Sequence, residues 1–129
     1  MNDQEKHDSF ATGVGCIDGR TVEPILAWAR KHLDVQWVDI VPRPGMDVFL
    51  LSEMDPVILK DLQWQISISL EKHNSKHILV SGHCECAGNP VSEEEHRECV
   101  VRSCEVVRSW DLPEDVEVIG LLVNEQWEV

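Results

Sequence analysis

Three residues far apart in the chain, Cys16, His83 and Cys86, carry the side chains best suited to hold a metal ion. Thiolate sulfur and imidazole nitrogen suit tetrahedral zinc, and a catalytic zinc keeps three protein ligands with a fourth position open. A Cys2His set meets that description. Two thiolates, a neutral imidazole and Zn2+ sum to zero charge, which leaves a moderate Lewis acid. Cobalt or iron would accept the same ligands, but thiolate and imidazole with no redox partner favour zinc. Beside the first ligand stand Asp18 and Arg20, two residues apart. Just past a strand such a pair points roughly to one side, where carboxylate and guanidinium can share charge-assisted hydrogen bonds. Taken singly, each of these residues has an ordinary explanation: a buried thiol, a helix-start carboxylate, a surface arginine. Their positions in the fold must decide.

The elements that position them alternate in type. Residues 11–17 read as a first strand, small at several positions where backbones approach closely. Thr21 is expected to cap a helix over residues 21–33, with Pro24 tolerated in its first turn and Ile25, Leu26, Ala29 and Leu33 along one face. A second strand over residues 35–41 ends at the breaker Pro42-Arg43-Pro44-Gly45. Asp55-Pro56 opens a second helix that runs to about His73. Residues 77–81 contain Ile-Leu-Val, a short apolar run typical of a strand buried on both faces. Ser92-Glu93-Glu94-Glu95 is a capping box opening a helix that ends near Trp110, and residues 116–123 form a last strand.

Strands separated by helices imply parallel strands joined by right-handed crossovers. The expected architecture is an α/β single domain over residues 1–129, with residues 1–10 a flexible terminus. It has a mostly parallel sheet of about four strands in the order 2-1-3-4, flanked by helices on both faces. Active sites of such sheets lie beyond the carboxyl ends of the strands where the order reverses. Cys16 closes the first strand, and His83 and Cys86 lie just after the third. Strands one and three are neighbours in that order, so the three candidate ligands converge at the switch point.

Composition narrows the partners. The net charge is −13, from 24 acidic and 11 basic side chains, and that field repels nucleic acid and anionic membrane surfaces. No apolar run approaches the roughly 20 residues that span a bilayer. The polar segment at the N-terminus lacks the apolar core of a secretory signal, so the cytoplasm is the expected compartment. Five cysteines, unevenly spread, are no disulfide framework. Cys99 and Cys104 fall in a helical pattern and read as small buried apolar residues. His7 belongs to the terminus, and His32, His73, His77 and His96 read as surface or helix-end residues. Trp28, Trp37, Trp64, Trp110 and Trp127 read as core and interface anchors. A small parallel sheet leaves edges to cover, which points to a homodimer or higher homo-oligomer.

Cys16-Ile17-Asp18-Gly19-Arg20 and His83-Cys84-Glu85-Cys86 have the form Cys-x-Asp-x-Arg … His-x-x-Cys. This resembles the signature of the β-class carbonic anhydrases, as a compact, divergent member, with the likeness extending loosely over residues 11–123. The resemblance implies one Zn2+ per chain held by Cys16, His83 and Cys86, with Asp18 and Arg20 as the catalytic pair. It implies a lyase in which a zinc-bound hydroxide converts carbon dioxide to bicarbonate. Asp18 orients the zinc-bound water and Arg20 holds Asp18; in some members the aspartate itself becomes the fourth ligand.

The sequence departs from the family pattern in places. Cys86-Ala87-Gly88 replaces the usual Gly-Ala after the last ligand. Arg43-Pro44-Gly45-Met46 stands where the family commonly has Arg-Asn-Ala-Gly. Cys84 replaces a small hydroxyl residue and is an alternative ligand. The same metal set serves family relatives that hydrolyse carbon disulfide or carbonyl sulfide. A non-catalytic zinc-binding domain is the reading from another class, and an open fourth position would count against it. A thiol redox protein fits less well, because Cys84 and Cys86 are separated by one residue rather than two.

Overall fold

The computed structural model describes residues 8–129. Four strands, β1 (Phe10–Gly15), β2 (Trp37–Pro42), β3 (His77–His83) and β4 (Glu117–Val123), pair in parallel in the order β2-β1-β3-β4. Between them run α1 (Val22–Leu33), the single turn α2 (Met46–Phe49), α3 (Pro56–Lys72) and α4 (Glu93–Arg108). The α/β class and the 2-1-3-4 order are those expected from the alternation of patterns.

The strands sort their side chains by parity. Ala11, Leu79 and Leu121 face α1, packing with Ala29 and Val35. Val14, Ile78, Val80 and Val118 face the opposite side, against Ile66 and Leu70 of α3 and Val100, Cys104 and Val107 of α4. Both faces are therefore covered, which is why β3 reads as a continuous apolar run. Ile78, Leu79 and Val80 are fully buried, and each such side chain contributes about 1.5–3 kcal/mol relative to exposure.

Several boundaries differ from the sequence expectation. The first strand ends at Gly15, not at residue 17, and Ile17 is 60% exposed. The chain turns away there into a 3-10 turn, Gly19–Thr21, whose cap is Asp18. Thr21 makes no side-chain cap to α1; its hydroxyl donates to the Asp18 carbonyl at 2.8 Å. β2 starts at Trp37 rather than residue 35 and includes Pro42, which an edge strand tolerates. The turn α2 follows directly on the Pro-Gly breaker and was not anticipated. Gly45 enters it at φ +60°, a conformation for which glycine is the default.

Other signals hold. Asp55 caps α3 by accepting from the Val57 amide at 2.8 Å, with Pro56 at the first helical position. Ser92 caps α4 by accepting from the Glu95 amide at 3.1 Å, and its hydroxyl donates to the Glu95 carboxylate at 3.2 Å. Phe10 belongs to β1 and stacks on His73, with ring centroids 4.0 Å apart, rather than to a loose terminus. Residues 1–7, His7 among them, lie outside the described residues. Trp64 is 61% exposed on α3 and is no core anchor.

Candidate functional site

β1 and β3 lie side by side at the centre of the sheet, and both deliver their carboxyl ends to one point. Cys16 follows β1 by one residue. His83 is the last residue of β3, and Cys86 lies three residues on, in the turn that Glu85 makes with φ +57°. One ligand atom from each of Cys16, His83 and Cys86 lies within 4.8 Å of the others. The two sulfurs are 3.8 Å apart. A tetrahedron with metal–sulfur bonds of about 2.3 Å has edges of about 3.8 Å, so the thiols already stand at the spacing a shared zinc requires.

The imidazole is set for the same task. His83 is 1% exposed, and its Nδ1 lies 2.7 Å from the Cys84 carbonyl oxygen. A carbonyl only accepts, so Nδ1 carries the hydrogen and Nε2 presents a lone pair. Nε2 is buried and has no hydrogen-bond partner. An orphaned acceptor is costly to bury, and a metal would satisfy it. A backbone partner on the other nitrogen is the usual way a ligating histidine has its tautomer fixed. The residues present fit a zinc ion on three counts: sulfur spacing, tautomer and unsatisfied nitrogen.

Asp18 and Arg20 meet as a fork. Asp18 Oδ1 accepts from the Arg20 amide and from Nε, each at 3.0 Å, and Oδ2 accepts from Nη2 at 2.7 Å. These bonds hold the Asp18 carboxyl at about 2, well below the ordinary carboxylate value, against a smaller opposing effect of burial. Arg20 is held on two further sides. Glu85 lies 3.7 Å from Nη1, and the Trp127 ring lies 4.1 Å from the guanidinium carbon. Trp127 in turn leans on His83, with ring centroids 6.0 Å apart.

Cys84 does not join the ligands. It is buried, and its thiol donates to Glu93 Oε1 at 3.5 Å. Burial first, then that hydrogen bond, push the thiol up to about 11, so it stays protonated at neutral pH. Among the described residues no fourth cysteine, histidine or carboxylate completes the cluster.

The two segments that depart from the family pattern meet each other. A Cβ on Gly45 would lie 2.5 Å from the Gly88 carbonyl oxygen. Only glycine at position 45 permits this contact between the turn before α2 and the loop after Cys86. Behind that loop lies a buried polar network that sequence reasoning missed. Asn89 donates to Asp47 Oδ1 at 3.1 Å, and His96 donates through Nδ1 to Asp47 Oδ2 at 2.6 Å. His96 is fully buried, not a surface residue, and Asp47 is 2% exposed. Gly82 makes room for it, since a Cβ there would lie 2.7 Å from Asp47 Oδ2.

A small cavity of about 110 Å3 opens beside Cys16, bounded by Gly15, Val22, Ile25, Leu26 and Val38. Its lining is mainly apolar, with Thr21 and Ser81 as the polar residues besides Cys16. Among the described residues no helix is long and apolar enough to cross a membrane.

Residues 6–129 match a family model described as "Putative carbonic anhydrase". The fold is similar to that of a carbon disulfide hydrolase solved in its apo, selenomethionine form. The TM-score is 0.61 at 14% identity, over 97% of this chain and 79% of that one. A structure of the β-carbonic anhydrase CafA of the fungal pathogen Aspergillus fumigatus gives a TM-score of 0.49 at 16% identity, over 92% of this chain and 72% of that one. No curated protein matches the sequence.

Proposed function

The chain belongs to this putative carbonic anhydrase family, and on that premise we propose that it is a zinc-dependent lyase that hydrates carbon dioxide to bicarbonate. The observation that carries the reading is the Cys16–His83–Cys86 cluster with no fourth ligand among the described residues, Asp18 being committed to Arg20. Zinc bound by those three residues would supply a Lewis acid that lowers the pKa of water to about 7. Asp18, ionised throughout the neutral range, keeps lone-pair capacity to accept a hydrogen bond from the attacking water and orient it. Arg20 keeps that carboxylate ionised and in place. The apolar cavity beside Cys16 admits an uncharged molecule and gives bulk water few partners.

The same cavity supports a second reading, hydrolysis of a sulfur analogue such as carbon disulfide or carbonyl sulfide, which would occupy it equally well. A non-catalytic zinc domain would need no such cavity. We place the enzyme in the cytoplasm. It acts as a homodimer or higher homo-oligomer assembled through the β2 edge, where Trp37 and Ile40 are 39% and 57% exposed. The test is stopped-flow carbon dioxide hydration by the zinc-loaded chain over about pH 6.5–9, a window that brackets the acidified water. Activity should rise with pH and fall at least about 100-fold in Asp18→Asn, the scale of a lost proton-handling group. A rate no faster than buffer, with one zinc bound, would remove the lyase reading and leave the sulfur substrates to be assayed.

A further inference from the structure

The mechanism leaves one aromatic residue at the site without a task. β4 pairs with β3 through its last residue, Val123 opposite His83, so the chain leaving β4 emerges beside the metal ligands. It folds at once into a tight turn organised by Asn124. The Asn124 side-chain oxygen accepts from the Gln126 and Glu128 amides at 2.9 and 3.1 Å. Its backbone amide donates to the Glu128 carbonyl at 2.8 Å, and the Trp127 amide donates to the Asn124 carbonyl at 3.0 Å. Within this turn Trp127 adopts φ +58°. A bulky aromatic residue rarely takes that conformation, and such outliers gather where the position of a side chain matters.

The turn places the indole ring on the working pair. One face lies 4.1 Å from the Arg20 guanidinium carbon, inside the range of a cation–π contact. The ring also lies against His83. Arg20 is otherwise half exposed, at 52%, and an exposed arginine on a flexible stem has many alternatives to a single carboxylate. Asp18 supplies the fork and Glu85 a weaker pull, but among the described residues only Trp127 covers a face of the guanidinium plane.

We propose that Trp127 is a positioning residue that clamps Arg20 flat against Asp18, so that the C-terminal turn sets the geometry of the catalytic pair. It acts through Arg20 and touches no reacting atom. The inference rests on the reading of Asp18 and Arg20 as the working pair, but the contact itself is measurable without turnover.

The experiment uses the zinc-loaded full chain and three variants, Trp127→Phe, Trp127→Leu and Arg20→Lys. Proton–nitrogen NMR follows the Arg20 Nε–H signal, which is assigned by its loss in Arg20→Lys. In the native chain the Arg20 side-chain protons should be shifted upfield by the indole ring current, and Nε–H should exchange slowly. Phe keeps a ring face and should retain both features in reduced form. Leu keeps apolar bulk but no ring. It should lose the upfield shift, speed exchange about tenfold and lower kcat about tenfold at unchanged KM, in the range expected when support behind a site is removed. Native-like Arg20 exchange in Trp127→Leu, or the lack of a ring-current shift in the native chain, overturns the clamp. If no substrate is turned over but the NMR pattern holds, the clamp stands and the lyase reading fails.

Discussion

Metal ligands bind as thiolate and neutral imidazole, so the three donors respond to pH in a definite direction. The Cys86 thiol is pushed up by burial, then by the neighbouring Cys16 sulfur, and so holds its proton more tightly than a free cysteine. Zinc must displace that proton. Affinity is therefore lower on the acid side and rises with pH, with protons released on binding. Competition with a chromophoric chelator at about pH 6 and 8 should show tightening of at least about tenfold, as expected when a ligand must lose a proton to bind. Arg20→Lys provides a second test. It keeps the charge but not the planar fork, and kcat should fall about tenfold while bound zinc stays at one per chain. The convergence of the three candidate ligands was legible because chemistry and topology pointed to one place independently. Thiols and an imidazole stood at the ends of two runs that had to be neighbouring strands. His96 was misread because a histidine in a charged helix gives no local sign of its partner. Asp47 reaches it from 49 residues away, and only the fold brings them together.

At the level of elements, two of the three expected caps were readable, Thr21 being the exception, and the ends were not. Ser92 and Asp55 announce themselves because a side-chain oxygen beside free amides is a local interaction. Asp55→Ala should lower unfolding free energy by about 1 kcal/mol in urea titration, with zinc content unchanged. β1 was expected to run two residues further than it does, because nothing apolar stops it. What stops it is the Asp18 cap and the fork to Arg20, which bend the chain into a 3-10 turn. The turn α2 escaped for a similar reason: four residues give too short a pattern to register a period. Yet α2 carries Asp47, the hub that joins Asn89 of the ligand loop to α4. Asp47→Ala would leave His96 Nδ1 buried without a partner and the Asn89 amide with only a long contact to the Cys99 sulfur. Removing one member of a buried pair costs about 3–5 kcal/mol. Chemical denaturation should show a loss of that size, far above the cap variant.

For the molecule as a whole, the two edges of the sheet differ. β2 presents Trp37 and Ile40 to solvent, and Ile17 nearby is 60% exposed, whereas β4 is flanked by α4 and the Asn124 turn. An exposed apolar edge is a template for pairing with another copy. Sedimentation equilibrium of the native chain should give the mass of two or more copies. Ile40→Lys, which puts a charge on the edge, should give the mass of one, with its zinc intact. With −13 on every chain, added salt should tighten the native assembly by screening like charges. An assembly is expected from uncovered sheet edges and from the family resemblance. Proposing one edge over the other needed the exposure of each strand, a property of packing that composition does not carry.

The sheet order also bears on how the protein is made. Cys16 and His83 are neighbours in space but 67 residues apart in the chain. At a synthesis rate of about 5–20 residues per second, roughly 3–13 s separate their emergence from the ribosome. During that interval β1 has no β3 to pair with, and Cys16 is a thiol without its partners. Parallel pairing of distant strands is slow in any case. A metal held by all three side chains therefore could not guide the early nascent chain: its site would be complete only after the third strand has emerged.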